Sequence, residues 1–442
     1  MKKMTRFLAV AMSLGCMASF VACGGGGNEG GGGGGGNGGT EEGTLLIGVM
    51  NDDTEKATMM RLVTEYKKTH ADQDIDILDM GSDIRQFLVY EMDGGTMPDV
   101  MFVQDTTVAY LASNEVLAPL DSYFTSSNVN KADIYQTMLD AASPLSDDKI
   151  YFAPRDYNQI VCYYNEDIFF QYDIAEPTAN WTWDDFLSTC AQLRAKMPSN
   201  KYPVYASLES NAVFTSFVSS YGEQVFNSNN EFALTADSQA LAAMKQLVTS
   251  NYAPAPSAST SGATFTEGNA AMIFESRPNF PTYAKAMDGA VNFVSFPAIG
   301  STPKVGIGCS GYGIVDTSTR KNRAWDFINY VISADGQKVF AQTGSGIPVL
   351  KSLKNDTSWK NLTIAGIDLS EKNHDVFVAN EERGVVGVSY LWGIKGDQQS
   401  NVIAKYNGAN QFLQSMFLNT YVNDLAGCIA KFGPEFNAIA RR

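Results

Sequence analysis

The stretch Ile150–Phe186, with the sequence IYFAPRDYNQIVCYYNEDIFFQYDIAEPTANWTWDDF, contains the strongest local signals in this chain. Its apolar, β-favouring run Val161–Tyr164 predicts a buried strand. Pro154 precedes this run and marks a crossing that follows a shorter strand. Thr182 lies where a helix N-cap belongs, and two aspartates follow it in the first turn. The stretch therefore predicts a strand, a crossing, a second strand, a turn and a well-capped helix.

Outside this stretch, strand and helix patterns alternate along the chain. Before it lie predicted elements at Leu45–Met50, Thr54–Thr69, Ile75–Asp79, Ile84–Met92, Val100–Val103 and Thr106–Ser113. After it lie predicted elements at Pro203–Leu208, Ala236–Asn251, Ala270–Phe274, Phe293–Phe296, Gly306–Val315, Ala324–Ile332 and Gly336–Gln342, and then a helix-rich tail over Asp375–Phe432. Such alternation predicts parallel βαβ units, and therefore α/β sheets with helices on their faces.

The residue order of the first stretch resembles the signature of bacterial extracellular solute-binding proteins of family 1, the sugar-type receptors of ABC importers. The residues that carry this resemblance are Tyr151, Pro154, Tyr163, Tyr164, Asn165, Asp167, Phe169, Pro177, Thr182, Trp183 and Phe186. Three further segments are similar to the same family and occur in the same order: PDVMFV with VLAPLDSYF, FTEGNAAM, and GYGIV with AWDFINYVIS and SGIP. Together these segments span most of Leu45–Leu350.

The resemblance implies a two-lobed α/β fold of the periplasmic-binding-protein type, with a ligand cleft between the lobes. The implied boundaries are 44–153 plus about 303–348 for lobe 1, and 154–302 plus about 349–442 for lobe 2. The chain would then cross between the lobes near Pro154, Pro297–Pro303 and Pro348. Because proline narrows the choice of backbone conformation, these crossings are expected to act as defined hinges.

The first residues have the pattern of an exported lipoprotein. Met1–Ala22 combines a basic head with a short apolar run, which predicts a signal peptide rather than a membrane span. The sequence FVAC resembles a bacterial lipobox, which implies that Cys23 carries a lipid and becomes the mature N-terminus. Cys16 is the competing candidate, and a freely secreted protein cut nearby is the alternative. Gly24–Gly43 consists mostly of glycine with some Asn and Glu, which predicts a flexible tether with a reach of roughly 25 Å.

The charge of the chain limits its partners. The formal net charge is -16, and it becomes about -19 once the three basic residues of the signal peptide are removed. So acidic a protein is unsuited to nucleic acid or to an anionic membrane surface. We therefore expect no nucleic-acid partner, and contact with the membrane through the lipid anchor only. The resemblance implies permease subunits of an ABC importer as partners of a monomeric receptor.

Cysteine is sparse after the signal peptide. Cys162, Cys190, Cys309 and Cys428 remain, and none of them forms a CxxC motif. Their wide spacing predicts mostly buried free thiols rather than a metal site. A disulfide among them is the alternative that an exported protein leaves open.

Two aspartates are candidate ligand contacts because of their place in the predicted sheet. Ligands of open α/β sheets lie beyond the carboxyl ends of the strands. Asp52 follows the first predicted strand, and Asp105 follows the third. A carboxylate there could accept hydrogen bonds from ligand hydroxyls, although a solvated loop or a helix cap explains each aspartate equally well.

Three aromatic residues and one arginine complete the candidate site. Tyr157 follows the Pro154 crossing, Tyr312 lies in the GYGIV segment, and Trp392 is flanked by glycines. For Tyr312 and Trp392 a packed core ring is the competing interpretation. Family members often carry a glycine and then a ligand-contacting aromatic residue where this chain has Ser276 and Pro278. The resemblance therefore implies that Arg277 or Phe280 contacts the ligand in place of that aromatic residue.

Catalytic patterns are absent from the sequence. Histidine is the commonest acid–base group, and His70 and His374 lie singly at polar helix ends, where solvated side chains are expected. The chain contains neither a HExxH motif nor a Walker loop, and Gly306-x-Gly308 lacks the rest of a dinucleotide fingerprint. A glycosidase needs two acids that face each other across a cleft, which sequence alone does not exclude. The pattern favours a binding protein without a cofactor over an enzyme.

A sugar is the favoured ligand, because amides and carboxylates supply directional hydrogen bonds and aromatic rings cover the C–H faces of a polyol. Other cargo stays open. Some ferric-ion receptors of related fold bind metal through neighbouring tyrosines, and Tyr163 and Tyr164 are adjacent. Acids and aromatics together also suit a polyamine. A peptide receptor and a glycoside hydrolase are the remaining alternatives.

Overall fold

The computed structural model describes residues 41–387 and 424–440, apart from short gaps at residues 83, 85–86, 89–95, 146, 209, 226, 228–230 and 256–260. The predicted signal peptide, Cys23 and residues 24–40 of the predicted tether therefore lie outside the described residues. The same is true of Trp392 and of most of the helix expected at Ile84–Met92. The last residues of the tether segment are described, and Arg323 donates to the carbonyls of Glu41 and Gly43.

The β-strands of the structure are β1 (Leu45–Val49), β2 (Ile75–Asp79), β3 (Val100–Gln104), β4 (Ala153–Pro154), β5 (Asn158–Gln159), β6 (Val161–Asn165), β7 (Tyr202–Tyr205), β8 (Ala270–Glu275), β9 (Val291–Ser295), β10 (Val305–Gly308), β11 (Ser310–Ile314), β12 (Thr363–Ile364), β13 (Ile367–Asp368) and β14 (Gly384–Val386). The strands predicted at Leu45–Met50, Ile75–Asp79, Val100–Val103, Val161–Tyr164, Pro203–Leu208 and Ala270–Phe274 lie close to strands of the structure, whereas β5, β12, β13 and β14 were not predicted.

The helices occupy the intervals between these strands. They are α1 (Asp53–Tyr66), α2 (Asp105–Ser113), α3 (Asp121–Thr125), α4 (Gln136–Ala141), α5 (Glu166–Gln171), α6 (Trp183–Lys196), α7 (Asn211–Ser220), α8 (Gln239–Thr249), α9 (Ser261–Thr266), α10 (Phe280–Ala286), α11 (Lys321–Val331), α12 (Ala334–Ala341) and α13 (Leu425–Ala440).

The first sheet has the strand order β2-β1-β3-β11-β4. β1 pairs in parallel with both β2 and β3, as the alternation of strands and helices predicts. β11 runs antiparallel to β3, with Tyr312 opposite Phe102, and the short β4 extends the sheet beyond β11. The residues of β1 and β3 are almost all buried, because helices cover this sheet.

The second sheet has the order β7-β8-β6-β9, and β6 pairs antiparallel with both β8 and β9. All five residues of β6 are buried, which confirms the buried strand predicted at Val161–Tyr164. On one face Phe274 of β8 contacts Phe186 of α6, with ring centroids 5.3 Å apart. On the other face Tyr163 meets Tyr283 of α10. Aromatic packing on both faces thus fixes this sheet.

The helix expected after Trp181 begins as predicted. Thr182 is the N-cap of α6: its Oγ1 accepts a hydrogen bond from the Asp185 N–H, and the Asp185 carboxylate accepts one from the Thr182 N–H at 2.9 Å. This reciprocal pair satisfies two backbone donors that a helix N-terminus otherwise leaves unpaired. The helix therefore starts at one defined residue.

The segment Gly306–Val315, which was expected to return the chain to the first lobe, is divided at Cys309. Gly308 ends β10, which belongs to a small third sheet of order β14-β10-β5, whereas Ser310 begins β11 of the first sheet. The physical reason is a neighbouring residue: the Asp105 N–H donates to the Cys309 carbonyl at 3.1 Å, and the Asp105 Oδ2 accepts the Cys309 N–H at 3.4 Å. Cys309 therefore belongs to neither strand.

Two of the segments expected to cross between the lobes, those near Pro154 and Pro348, lie next to each other. The Tyr157 N–H donates to the Ile347 carbonyl at 3.0 Å, and Asp156 forms a β-bridge with Pro348. The first sheet uses residues 45–104, 153–154 and 310–314, whereas the second uses residues within 161–295. The exact lobe boundaries stay a prediction.

Two expectations for the tail and the cysteines have different outcomes. The prediction of a helix-rich tail over Asp375–Phe432 is wrong for its first part, which contains short 3-10 turns and β14, while residues 388–423 lie outside the described residues. All four described cysteines are buried free thiols, as predicted.

Candidate functional site

Asp105 lies at the point where the first and third sheets meet. It follows β3 and is the first residue of α2, so its side chain projects from the carboxyl end of a parallel strand. Burial raises the pKa of Asp105 to about 7; the N–H groups of Cys309 and Thr106 lower it in part, and the nearby Asp156 raises it. This carboxyl group can therefore accept or donate a hydrogen bond near neutral pH.

Three residues around Asp105 form a polar cluster. Asp156 is buried and accepts hydrogen bonds from the Ser310 N–H at 2.7 Å, the Ser310 hydroxyl at 2.6 Å and the Asn158 amide at 3.0 Å. The Asn158 Oδ1 is buried and has no hydrogen-bond partner within the described ranges. A buried acceptor of this kind destabilises the protein unless it meets a donor, such as a ligand hydroxyl. We call Asp105, Asp156, Asn158, Gly308 and Ser310 the junction cluster.

Gly308 gives this cluster its close packing. It pairs with Asn158 across β5 and β10, and a Cβ atom added at Gly308 would lie 2.6 Å from the Asp105 Oδ2. A side chain there would displace the carboxylate from the Cys309 N–H. Glycine is therefore required for this position of Asp105.

Arg155 and Glu55 form a buried ion pair beside the junction cluster. The Arg155 Nη1 and Nη2 atoms donate to Glu55 Oε1 and Oε2 at 2.9 and 2.5 Å. The Tyr312 hydroxyl donates to Glu55 Oε1 at 2.9 Å and accepts a hydrogen bond from Arg155. Burial lowers the pKa of Arg155, but the combined influence of Glu55, Tyr312 and Asp156 outweighs this effect and the net change is upward. The guanidinium is thus a permanent cation held in one geometry.

The structure separates the predicted contact residues by their exposure. Asp52 is exposed and caps α1, where its Oδ1 accepts the Glu55 N–H at 2.8 Å. Tyr157 is only 1% exposed; its hydroxyl donates to Gln159, and its ring packs on Tyr135. Tyr312 is fully buried. Of these, Asp52 and the partly exposed Asp105 can meet a ligand directly, whereas packing is the better interpretation of the two tyrosines in this conformation.

Arg277 is fully buried and lies away from the junction cluster. Its guanidinium donates to the carbonyls of Gly344 and Trp359, both at 3.0 Å, and to the His374 Nδ1 at 2.9 Å. The rings of Phe280 and Phe377 lie 4.5 and 4.8 Å from it. Burial lowers the pKa of Arg277 to about 10, so it stays charged at neutral pH. These contacts describe a structural cation rather than a ligand contact.

The prediction that His374 is solvated is wrong. Its ring is 2% exposed, and the Nε2–H donates to the Leu369 carbonyl at 2.7 Å while Nδ1 accepts from Arg277. Burial, together with the charge of Arg277, lowers the pKa of His374 to about 3. The imidazole is therefore neutral at physiological pH and serves as a buried hydrogen-bond acceptor.

Tyr163 and Tyr164 do not converge on a common point. The Tyr163 hydroxyl donates to the Ser276 carbonyl at 2.8 Å, and the Tyr164 hydroxyl donates to the Glu176 carboxylate at 2.8 Å. Successive residues of a strand point to opposite faces, which accounts for these separate partners. The described residues also contain no group of three or more His, Cys, Asp or Glu side chains placed to hold a metal ion.

A comparison with known families decides the class of the protein. Residues 51–338, more than half of the chain, match the model of the family described as bacterial extracellular solute-binding protein. The chain belongs to this family. As a solute-binding protein it is not an enzyme, and the extracellular description of the family agrees with the predicted export. No helix in the described part of this solute-binding protein combines the length and apolarity needed to cross a bilayer.

Individual relatives are distant in sequence and similar in structure. The solute-binding protein is 22% identical over 392 residues to a lactose-binding protein of Rhizobium radiobacter, which covers 82% of this chain and 90% of that protein. An ABC substrate-binding protein of Listeria monocytogenes in complex with cycloalternan has a TM-score of 0.74 at 18% identity, covering 89% and 98% of the two chains. UgpB of Mycobacterium tuberculosis in complex with glycerophosphocholine has a TM-score of 0.74 at 16% identity, covering 91% and 99%. These structures confirm the two-lobed fold.

Sequence reasoning missed Glu55, Arg155, Asp156 and Asn158. The last three lie in the run RDYN, a polar segment between the buried strands β4 and β6. Polar residues inside an otherwise apolar, buried stretch need partners, and this was an available signal for a polar site. Glu55 had no such signal, because an acidic residue in the first turn of a helix is ordinary.

Proposed function

We propose that this solute-binding protein captures a sugar or oligosaccharide in the cleft between its lobes and delivers it to the permease subunits of an ABC importer. Family membership supports the capture of a solute, and the lactose-binding relative and the cycloalternan complex support a carbohydrate. Lobe closure around the ligand and a monomeric receptor are part of the proposal.

The junction cluster is the observation that carries the proposal at the level of side chains. Asp105 is a partly exposed residue with a carboxyl group, and Asn158 offers an acceptor that nothing in the described chain satisfies. Both lie where strands of the first and third sheets end, so a ligand held there would contact the segment that connects the lobes. Hydroxyl groups of a sugar supply the donors that these acceptors need.

The proposed contact residues follow from their exposure. Asp52 and Asp105 remain proposed ligand contacts, Asn158 is added to them, and Trp392 stays a prediction outside the described residues. Tyr157 and Tyr312 are proposed to support the site from within the core, whereas Arg277 is a structural cation elsewhere in the core.

A panel of solutes tests the proposal by thermal shift. Lactose and maltotriose represent sugars, and spermidine, ferric citrate and glycerophosphocholine represent other cargo. A ligand that binds only the folded state stabilises it by about 2.7 kcal/mol at roughly one hundred times its dissociation constant. We expect a sugar to raise the melting temperature by several degrees, and Asn158→Ala to abolish most of this shift. Asn128→Ala, at an exposed residue, is the matched control and should retain it.

The panel also distinguishes the alternatives. The glycerophosphocholine-bound neighbour supports a second candidate, a hydroxyl-bearing solute that is not a sugar. A shift with glycerophosphocholine or spermidine and none with any sugar would contradict the carbohydrate proposal. Hydrolysis of a sugar by the wild-type protein would contradict the proposal that the protein is a receptor.

We also propose a lipid anchor at Cys23, followed by the glycine-rich tether. The lipobox-like FVAC sequence supports the anchor, and the composition of Gly24–Gly43 supports a flexible connection. A tether of this length would hold the receptor beside the membrane while leaving its lobes free to rotate.

A further inference from the structure

The residue that links the candidate cleft to the crossings is Glu55. It lies in the first turn of α1, and its backbone N–H is bound by the side chain of Asp52, a proposed ligand contact. Glu55 itself is 7% exposed, so its carboxylate points away from solvent and into the protein. A change in the position of Asp52 therefore acts directly on the first turn of α1.

The carboxylate of Glu55 holds a residue of the first crossing. It accepts two parallel hydrogen bonds from Arg155, the residue that follows β4, and a third from the Tyr312 hydroxyl. The Arg155 guanidinium also lies 5.1 Å from the ring of Phe102 and 5.0 Å from that of Phe340. A bidentate, buried pair of this kind permits little relative movement, because separating it would leave an unpaired charge in the core.

The backbone of Arg155 is in turn bonded to strand β11 and, through Gln337, to the segment after Pro348. Its N–H donates to the Ser310 carbonyl at 2.9 Å, and its carbonyl accepts from the Gln337 Nε2 at 2.9 Å. The same Gln337 side chain, which is fully buried, accepts a hydrogen bond from the Val349 N–H at 2.7 Å. The segments around Arg155 and Val349 are thus joined by one glutamine.

We propose that Glu55 is a positioning residue that couples ligand contact at the Asn51–Asp53 loop to the crossing at Arg155, and thereby to lobe closure. The proposal rests on the proposed function, because it assumes that a ligand reaches Asp52. In this arrangement the ligand shifts the first turn of α1, and the Glu55–Arg155 pair carries the shift to the hinge. Glu55 acts without touching the ligand.

Glu55→Gln tests the coupling, because it keeps the shape of the side chain and removes its charge. Glu65→Gln is the matched control: it is the same substitution on the same helix, at a solvent-facing pair with Lys68. We expect Glu55→Gln to weaken binding of lactose or maltotriose, whichever the wild type binds, by about tenfold or more, and to reduce the ligand-induced compaction seen by small-angle X-ray scattering. Glu65→Gln should change neither quantity.

A double variant distinguishes a positioning role of Glu55 from a contribution to stability alone. Replacing a buried ion pair by apolar residues of similar volume is often neutral for stability. Glu55→Leu with Arg155→Met should therefore recover much of the melting temperature lost in Glu55→Gln, while binding and compaction stay impaired. If the melting temperature, the binding and the compaction all recovered together, the proposal would be overturned, because Glu55 and Arg155 would then contribute to stability only. If neither variant folds, Tyr312→Phe, which removes a single hydroxyl donor to Glu55, should give a smaller loss of the same kind.

Hydrogen exchange makes the test independent of the ligand. In the ligand-free protein, Glu55→Gln should accelerate amide exchange at Tyr157 and Val349 relative to Glu65→Gln, because the crossing is less firmly held. Unchanged exchange there would overturn the coupling. If the wild type binds no solute of the panel but exchange responds as expected, the proposed function fails and the coupling of α1 to the crossing stands.

Discussion

At the scale of single residues, Asp105 should make the stability of the protein depend on pH. Its pKa is about 7 in the folded protein, compared with about 3.9 for an aspartate in an unfolded chain. Between these values the folded state binds more protons, so the free energy of unfolding falls as the pH rises. The contribution of protonated Asp105 to stability is therefore complete below about pH 4 and is lost as the pH rises through 7.

Asp105→Asn should remove this dependence. The melting temperature of the variant, relative to the wild type, is expected to rise between pH 4 and 8. One pKa unit corresponds to about 1.4 kcal/mol, so the change amounts to a few kcal/mol at most. Calorimetry of both proteins at a series of pH values measures it, and parallel curves would contradict the expectation.

Several residue roles could not be predicted from the sequence. Tyr312 lies in a strand, and its packing involves Glu55 and Arg155, which lie 257 and 157 residues away along the chain. His374 was taken as solvated because its neighbours in the sequence are polar. Its burial arises from Arg277, a cation that the local pattern does not associate with it. Contacts of this range are set by the tertiary fold.

At the scale of secondary structure, the two glycines of β10, Gly306 and Gly308, have different structural roles. A Cβ atom at Gly306 would lie 2.0 Å from the Ala212 carbonyl oxygen of α7, which is backbone and cannot move aside easily. A Cβ atom at Gly308 would meet only the end of the Asp105 side chain. The first glycine lets a helix pack on the strand, and the second shapes the junction cluster.

A matched pair of variants follows from this difference. Gly306→Ala should lower the free energy of unfolding by about 1–3 kcal/mol through overpacking, with binding retained where the protein is folded. Gly308→Ala should change stability much less and weaken solute binding, because Asp105 must move. Urea unfolding and titration calorimetry measure the two effects. The reverse assignment, with Gly306→Ala the weaker binder and Gly308→Ala the less stable protein, would refute this interpretation.

The elements themselves were largely predictable because their signals are local. The hydrophobic pattern of Val161–Tyr164 and the capping residues Thr182 and Asp185 act over a few positions, and both expectations are confirmed. The division of Gly306–Val315 was not predictable. It depends on Asp105, two hundred residues earlier in the chain, and nothing within the segment marks Cys309 as its boundary.

At the scale of the whole molecule, the sequence predicted two lobes correctly through a family resemblance, and the structural neighbours confirm that fold. Periodicity alone predicted only α/β sheets. The three crossings near prolines stay a prediction. The side chain that joins the segments around Arg155 and Val349, Gln337, lies in a helix, and nothing in the sequence indicates this role.

The proposed anchor also belongs to this scale. Cys23→Ser should release the receptor from the membrane fraction without changing its affinity for the solute, because the glycine-rich tether separates the anchor from the lobes. Fractionation with titration calorimetry tests this expectation, and mass spectrometry of the native N-terminus provides the control. An unmodified peptide that reads through Cys23 in the mature protein would contradict the anchor.

The four buried thiols have a practical consequence for labelling. Burial raises the pKa of Cys162, Cys190 and Cys309 well above the ordinary value, and that of Cys428 to about 11. Few of these groups are thiolates at neutral pH, and the thiolate is the form that reacts with a maleimide dye. A cysteine placed at Phe170, which is 90% exposed, would therefore take up the dye far faster than any other thiol in the described part of the chain. The solute-binding protein is thus suited to conversion into a fluorescent sensor without removal of Cys162, Cys190, Cys309 or Cys428.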